Sequence, residues 1–523
     1  MGVRKLGFVG WVCAVLAMFA SGCGNDSGLA AQDEPTPTAT PAVTPTPPDA
    51  EPAWQEMRGA VHVHSVFSHD ACDGNGLPGG LPDPLCMAQL RDSLCGAGFA
   101  FVGLTDHPSF MRDHAFVDDL LFDASAGDVL VEEGGEAIAN RMACPGGATV
   151  LVTAGYEANH TMPIGLKGHL PTPELYSGVD DAMLLADAQA LVDGLKAGGA
   201  VTALAHSEGE DLSAQRIVDA GFEAMEWYNP HGNFKTVLGG DTVTGDPLAV
   251  IDLVKSMESF LLGSDSGASA DLLYLLLLPE WPQAGFDKWR EVNRQASVTG
   301  LLGSDVHQNV SVDPVCGSDP GVQALCAVAA AAWPNALTLL LSGGQITLAD
   351  GERIDGYDRI FRWLDNRVLA TEATHGAITQ SIRDGRSFGV FRVFGEPEGF
   401  AFTADFGDGV ARALGADREG PATMRVVAPI PEAIEGGAPF TPADAGNASV
   451  RITLLRTDAA GTVVVRDEVV APGAVLEQPV ADAGAYSVEI HVTPHHLATA
   501  LGDESALADI EYLWVITNPI RVR

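Results

Sequence analysis

Residues 299–307 read Thr299-Gly300-Leu301-Leu302-Gly303-Ser304-Asp305-Val306-His307. A strand-length apolar run ends in a carboxylate and, two residues later, an imidazole. Apolar on both faces, such a run predicts a strand buried on both sides rather than one facing water. The pattern recurs upstream in residues 100–104 (AFVGL), 149–157 (TVLVTAGYE), 200–206 (AVTALAH) and 224–229 (AMEWYN). Each of these runs also ends at a polar residue: Asp106-His107, Glu157, His206 and Glu226. Helix-like stretches separate them: Asp180–Ala197, closed by Gly198-Gly199, then Leu212–Ala220 and Pro247–Leu262. Strands alternating with helices predict a parallel α/β architecture, barrel or open sheet, whose working residues gather at the carboxyl ends of the strands.

Further upstream stands Val61-His62-Val63-His64-Ser65-Val66-Phe67-Ser68-His69-Asp70. On a plain strand His62 and His64 share a face. Two neutral imidazoles on one face suit a metal ion, and Asp70 adds a hard oxygen donor. Then follow Leu104-Thr105-Asp106-His107, Glu157 with a later Gly168-His169, Ala205-His206, and Ser304-Asp305-Val306-His307. Ten of the 14 histidines fall between His62 and His307, which concentrates imidazole in the region of the predicted strands.

In their order, H-x-H with a following S-x-D, T-D-H, a Glu with a later Gly-His, a strand-end A-H and S-D-x-H, these motifs resemble the PHP (polymerase and histidinol phosphatase) superfamily of metal-dependent phosphoesterases. The resemblance implies a distorted seven-stranded β/α barrel (57–345) holding two or three divalent ions. Carried over, His62, His64, Glu157 and Asp305 would hold one ion. Glu157 would bridge to a second, held with His169 and His206. Asp70, His107 and His307 would hold a third. His160, three residues after Glu157, competes with His169 for the second position. Asp106 is expected to orient a ligand by hydrogen bonding, and Glu226 to orient a ligand or a water. His69 is expected at the rim, with His231 and Lys167 as candidate substrate contacts. Imidazole and carboxylate without thiolate suit zinc, manganese or iron. The expected chemistry is hydrolysis by a hydroxide bridging the metals, on a small phosphate ester. A carbamate or amide substrate on the same metals, or a non-catalytic surface protein with structural metals, are the other readings.

Residues 346–397 read as a mostly helical bridge, Arg359–Leu369 and then Ile378–Asp384. From 398 the period shifts to two, in apolar runs separated by Gly, Pro, Asp and Asn turns, which predicts an antiparallel β-sandwich over 398–523. Gly385-Arg386-Ser387-Phe388 and the closing Leu513-Trp514-Val515-Ile516-Thr517-Asn518-Pro519-Ile520 resemble the exported, carbaryl-hydrolase-like (CehA/McbA) branch. His491, His495 and His496 are expected to be exposed.

Residues 1–23 read as an address rather than structure. Arg4 and Lys5 precede an apolar Leu6–Phe19, and Ala20-Ser21-Gly22-Cys23 resembles a bacterial lipobox. The alternative is an ordinary secretory peptide cleaved near Gly22. The Pro/Thr-rich residues 24–56 read as a tether. An exported body anchored to the cell envelope through a lipidated Cys23 is the expectation. The remaining cysteines then number six, and they allow 15 disulfide pairings, among which Cys316–Cys326 is expected. With 69 acidic against 29 basic residues, the formal charge is −40. No dense Lys/Arg run exists to supply the basic face that phosphates along a strand need, which speaks against nucleic acid as a partner. Bound divalent ions would reverse the local field, so a small anionic ester is not excluded.

Overall fold

The computed structural model describes residues 51–207, 212–230, 256–263, 265–278, 283–312, 320–335 and 344–523. Residues 49–523 form one compact unit. The signal, lipobox and most of the tether lie outside the described residues, as does His231. Among the described residues no helix is long and apolar enough to cross a membrane.

The class is mixed α/β. The expected tether stops short of residue 56, because the first strand, β1, already spans Gln55–Val63. β2 (Phe101–Leu104) pairs parallel with it on one side and β9 (Thr299–Val306) on the other. From β2 the pairing runs in parallel to β5 (Thr149–Ala154). From β9 it runs in parallel to β8 (Ala224–Tyr228) and β7 (Val201–Leu204), then antiparallel to β6 (Thr161–Ile164). Beyond β6, a bridge between Ala154 and Leu166 returns the chain to the side of β5. The five strands expected between residues 100 and 305 are present, each buried at every position or at all but its first.

A hairpin not foreseen in the sequence joins this array. β3 (Val129–Glu133) and β4 (Glu136–Ala143) turn at Gly134-Gly135, both at positive φ (65° and 90°), and β4 pairs with β5. That two-residue glycine turn is the primed type that matches strand twist.

Helices fill the crossovers. Pro84–Gly96 begins at Asp83, whose carboxylate accepts from the N–H groups of Leu85 and Cys86. Leu185–Ala197 starts later than the expected Asp180 and buries Ala188, Leu191, Val192 and Leu195, an i, i+3, i+4, i+7 stripe. Ala214–Ala220 is capped by the Ser213 hydroxyl and ends at left-handed Gly221. The expected helix Pro247–Leu262 lies mostly outside the described residues. Leu272, Leu273, Tyr274, Leu275 and Leu278 pack in the core.

The bridge is helical only in part. Its helices are Tyr357–Trp363 and His375–Arg383, the second close to the expected Ile378–Asp384, and between them Asp365–Ala370 is a strand paired antiparallel with β1. Ser387–Val390 pairs with that strand and with Tyr512–Thr517, so the C-terminal strands are hydrogen-bonded into the sheet that contains β1. All the C-terminal runs read as strands are strands. His496 corrects an expectation: it is buried, with Nε2 against the Phe394 carbonyl oxygen at 3.0 Å.

Two asparagines fasten this part to β9. Asn366 Oδ1 accepts from Leu302 N at 2.9 Å, and its Nδ2 donates to Leu302 O at 2.8 Å. Asn518 does the same to Gly300, at 2.7 and 2.9 Å. Each amide replaces a neighbouring strand for one buried backbone pair, which would otherwise be left unsatisfied. Gly300 must be glycine, because a Cβ there would lie 1.8 Å from the Trp227 ring.

Among the described residues two disulfides are present, Cys72–Cys86 and Cys95–Cys144, both on the helix Pro84–Gly96. Cys316, and with it the expected Cys316–Cys326 pair, lies outside the described residues.

Candidate metal centre

The carboxyl ends of β1, β2, β5, β7 and β9 meet at one place. Backbone bonds stitch them: His64 N to Val306 O (3.1 Å), Thr105 N to Val63 O (2.9 Å), and Gly155 N to Leu104 O (2.7 Å). The register of β1 slips against both neighbours between Val61 and Val63. His62 therefore sits on a bulge, at φ 59°, instead of following plain alternation. Ser304 Oγ supports it by donating to the His62 carbonyl at 2.6 Å. His206 (φ 51°) and Asp305 (φ 48°) also hold left-handed backbone. Such conformations are disfavoured for residues with a Cβ and collect at functional sites.

The side chains converge. His62 Nε2 lies 3.2 Å from Asp305 Oδ1 and 3.4 Å from Glu157 Oε2. His64 Nε2 lies 3.5 and 3.6 Å from the same two oxygens. His206 Nε2 is 3.0 Å from the other Glu157 oxygen and 3.7 Å from Asp305 Oδ2. On the other side of His64, Asp70 Oδ2 faces His307 Nε2 at 3.4 Å and His107 Nε2 at 3.6 Å. The rings of His64 and His307 stack at 3.6 Å between centroids. Two compact donor groups result: His62, His64, Glu157 and Asp305; and His64, Asp70, His107 and His307.

One nitrogen on each of four histidines is engaged from behind, leaving the other facing inward. Glu226 Oε1 lies 2.6 Å from His62 Nδ1. Ser68 Oγ donates to Asp70 Oδ1 at 2.9 Å, so it accepts from His64 Nδ1 at 3.0 Å. His107 Nδ1 donates to the Glu157 carbonyl oxygen at 3.0 Å, and His307 Nδ1 to that of Asp305 at 2.9 Å. This back-side support fixes the ring and its tautomer, as outer partners of metal-binding histidines do. Ser68 and Ser304 were not foreseen in these supporting roles. For Ser68 the S-x-D spacing to Asp70 was the available signal.

The inward atoms suit a metal. His62 Nε2, His64 Nε2, Asp305 Oδ1 and His307 Nε2 are all buried without a hydrogen-bond partner. Burying polar atoms in this way is costly unless something pairs with them. Donors at about 2.0–2.2 Å from a common ion sit about 3.0–3.6 Å apart, which matches the separations here. The donor set of imidazoles and carboxylates suits zinc, manganese or iron.

Electrostatics agrees. Burial works against a charged His62, yet Asp305, Glu226 and Glu157 outweigh it and raise its pKa well above the usual value. Burial, with His307 and His62 beside it, drops that of His64 to about 3. Burial favours neutral forms of Glu157 and Asp305, but the surrounding imidazoles hold both well below the ordinary carboxylate range. The site thus concentrates negative charge that the imidazoles only partly offset, as a cation-binding site requires. His62 and His64 are fully buried, while Asp70, His107 and His206 form its more open side.

The other expected residues sort clearly. Asp106 is buried and takes the Ser65 N–H at 2.5 Å and the Ser65 hydroxyl at 2.6 Å, so it holds the turn after β1. Glu226 lies behind His62 and also accepts from His206 N at 2.6 Å and from Asn229 Nδ2 at 3.3 Å. His169 is not brought to the donor groups. Its Nε2 donates to the His114 carbonyl oxygen at 2.9 Å and its Nδ1 faces Tyr176 Oη at 3.3 Å. The His160 backbone lies beside the His206 segment: its carbonyl accepts from Ala205 N at 2.8 Å, and its φ is 61°. The chain reverses there, where Ala158 bridges Thr161, and runs back along β5 as far as the bridge of Leu166 to Ala154, which carries His169 away. Lys167 is tied to Glu133 at 2.6 Å on the surface. His69 is exposed, with its ring 4.8 Å from that of His107.

No family model and no curated protein matches the chain. Among solved structures, a two-domain protein from Bacteroides vulgatus, described as containing a predicted PHP-like metal-dependent phosphoesterase, is similar at 12% identity and a TM-score of 0.31. The similarity covers 91% of this chain and 100% of that one.

Proposed function

We propose that this chain is a metal-dependent hydrolase of the PHP type, with a seven-stranded β/α barrel as its catalytic body and phosphate esters as its substrates. The observation that carries the reading is the convergence of His62 Nε2, His64 Nε2, Asp305 Oδ1 and His307 Nε2, buried and without hydrogen-bond partners, around Glu157. In this reading His62, His64, Glu157 and Asp305 hold one ion, and Asp70, His107 and His307 hold another. His206 completes a position on the far side of Glu157, with His160 the better placed of its two candidate companions. Divalent ions there supply Lewis acidity and a water of lowered pKa.

The chain's own groups do the rest. Glu226 keeps His62 in the tautomer that presents Nε2. Ser68 does so for His64, and the carbonyls of Glu157 and Asp305 do so for His107 and His307. The open side, through Asp70, His107 and His206, admits the ester. The bulk charge of −40 leaves such a substrate no attraction except at the ions.

Purified full-length protein, loaded in turn with zinc, manganese or iron, is assayed on aryl phosphate mono- and diesters, aryl carbamates and anilides. Metal-dependent phosphate ester cleavage is expected. Turnover of carbamates or anilides alone would replace the substrate class, and no turnover with full metal content would favour a binding protein.

We place this enzyme outside the cytoplasm, tethered through Cys23. Two disulfides support an oxidising compartment. The Cys23→Ala variant is expected to leave the membrane fraction, and its retention there would refute the anchor.

A further inference from the structure

Asp70 is the donor that stands furthest from any strand of the sheet, seven residues beyond the end of β1 at Val63. The turn that follows it is unusual. Cys72, Asp73 and Gly74 all have positive φ, at 55°, 57° and 71°. Two consecutive non-glycine residues in left-handed backbone are unfavourable, so outside contacts must hold them.

Those contacts come from three directions. Cys72 N donates to His307 O and Asp73 N to Gln308 O, both at 2.9 Å. This places the Asp70 turn directly on the segment that carries His307. The Cys72–Cys86 disulfide ties the same turn to the helix Pro84–Gly96. The Asp73 carboxylate receives both terminal nitrogens of Arg353, at 2.7 and 3.1 Å, and Gln345 Nε2 at 2.6 Å. Arg353 also grips Asp355 at 2.8 Å through Nε and through Nη2. Asp355 accepts from Val310 N at 2.7 Å, just past His307. The path from Asp73 through Arg353 and Asp355 therefore returns to the strand end that bears the partner donor.

None of these links reaches His62, Glu157 or Asp305; His64, which both donor groups share, meets the Asp70 side through Ser68. Those are set by the β1 bulge, by β9 and by Glu226.

We propose that the Cys72–Cys86 disulfide and Arg353 are positioning elements for the ion position of Asp70, His107 and His307, and not for the donors His62, Glu157 and Asp305. The proposal rests on the metal-centre reading above and adds that the two donor groups differ in what holds them together. Freed from its staple, the turn would relax from its left-handed form. Asp70 would then have to be re-ordered each time an ion binds, while the position at His62 and Asp305 would keep its donors in place.

The test is metal content by plasma mass spectrometry, with chelator-competition titration, on the full chain equilibrated at fixed free zinc and again at fixed free manganese. Asp70→Ala marks the loss of this position. The Cys72→Ser/Cys86→Ser variant is expected to hold one equivalent fewer than wild type, or to bind its weakest ion at least ten-fold less tightly. The Cys95→Ser/Cys144→Ser variant, which cuts the other disulfide on the same helix, is expected to keep the wild-type complement. Arg353→Met is expected to weaken the same ion, and Arg353→Lys to restore it in part. If wild type binds its full complement and both Cys72→Ser/Cys86→Ser and Arg353→Met match it in number and affinity, the positioning role is wrong and the metal centre stands. If wild type binds no ion, the metal centre itself is wrong. Should the double cysteine variant not fold, the Arg353 pair decides alone.

Discussion

Glu226 and His62 lie 2.6 Å apart through Oε1 and Nδ1, both fully buried, and the other oxygen of the same carboxylate takes the backbone N–H of His206. One acid thus sets a ring on β1 and a main-chain position after β7. Glu226→Gln keeps the shape but loses the charge that favours the Nδ1–H tautomer. Metal affinity is expected to fall by about 10–100-fold, measured by chelator competition. Gly303→Ala should act in the same direction, because a Cβ there would lie 1.8 Å from Glu226 Oε1. Wild-type affinity in both variants would remove Glu226 from the site.

Experiment also separates true donors from His169. His62→Ala and Asp305→Ala are expected to lose at least one equivalent of metal together with hydrolytic activity. His169→Ala is expected to retain the full complement, since its ring is occupied by His114 and Tyr176. A lost equivalent in His169→Ala would restore it as a ligand.

Metal uptake should release protons. The pKa of His62 is raised well above its ordinary value, and that of His107 is raised to about 9 against the opposing pull of burial, by Asp70 and Glu157. Metal-free protein therefore holds protons on both at neutral pH, and an ion must displace them. Affinity is expected to rise with pH through about 9, where His107 gives up its proton. Calorimetry in two buffers of different ionisation enthalpy counts the protons, and a buffer-independent heat would contradict the expectation.

Asp119 offers a stability measurement away from the ions. Both its oxygens are buried without a hydrogen-bond partner, and burial, then Asp106 and Asp118, lift its pKa to about 9 from 3.8. Between those values the folded chain holds a proton that the unfolded chain has released. The group's contribution to stability is complete below 3.8 and is lost as pH rises through about 9. Asp119→Asn should cancel that loss. In metal-free protein its melting temperature should exceed wild type at pH 8 by a few degrees, at about 2–4 °C per kcal/mol, with a smaller gap at pH 5. Equal gaps at both pH values would count against a protonated Asp119.

The strand ends were legible because strands buried on both faces leave continuous apolar runs, and a polar residue closing such a run stands out. Asp365–Ala370 hid for the converse reason. Its Asp365, Asn366 and Arg367 read as a solvated helix, yet they are buried against Arg392, Leu302 and Glu396. Pairing of that kind is tertiary and leaves no period in the sequence. His169 misled through its Gly-His context. What decides its place is the reversal after Glu157, a matter of backbone angles at Asn159 and His160 that residue identity only hints at.

The paired amides on β9 make a further stability test. Asn518→Ala would leave the N–H and C=O of Gly300 buried and unmatched, at a cost of about 1–3 kcal/mol. Denaturant melts of wild type and variant measure it, and an unchanged midpoint would show that the cradle is dispensable.

That cradle also bears on how such a chain can be cut and recombined. Asn366 and Asn518 come from opposite ends of the C-terminal third, and both are keyed to the strand that delivers Asp305. A seam drawn near residue 398, where the sequence changes its period, would pass through the middle of this joint. The two sides of such a seam are thus hydrogen-bonded to one strand, within the one compact unit of residues 49–523.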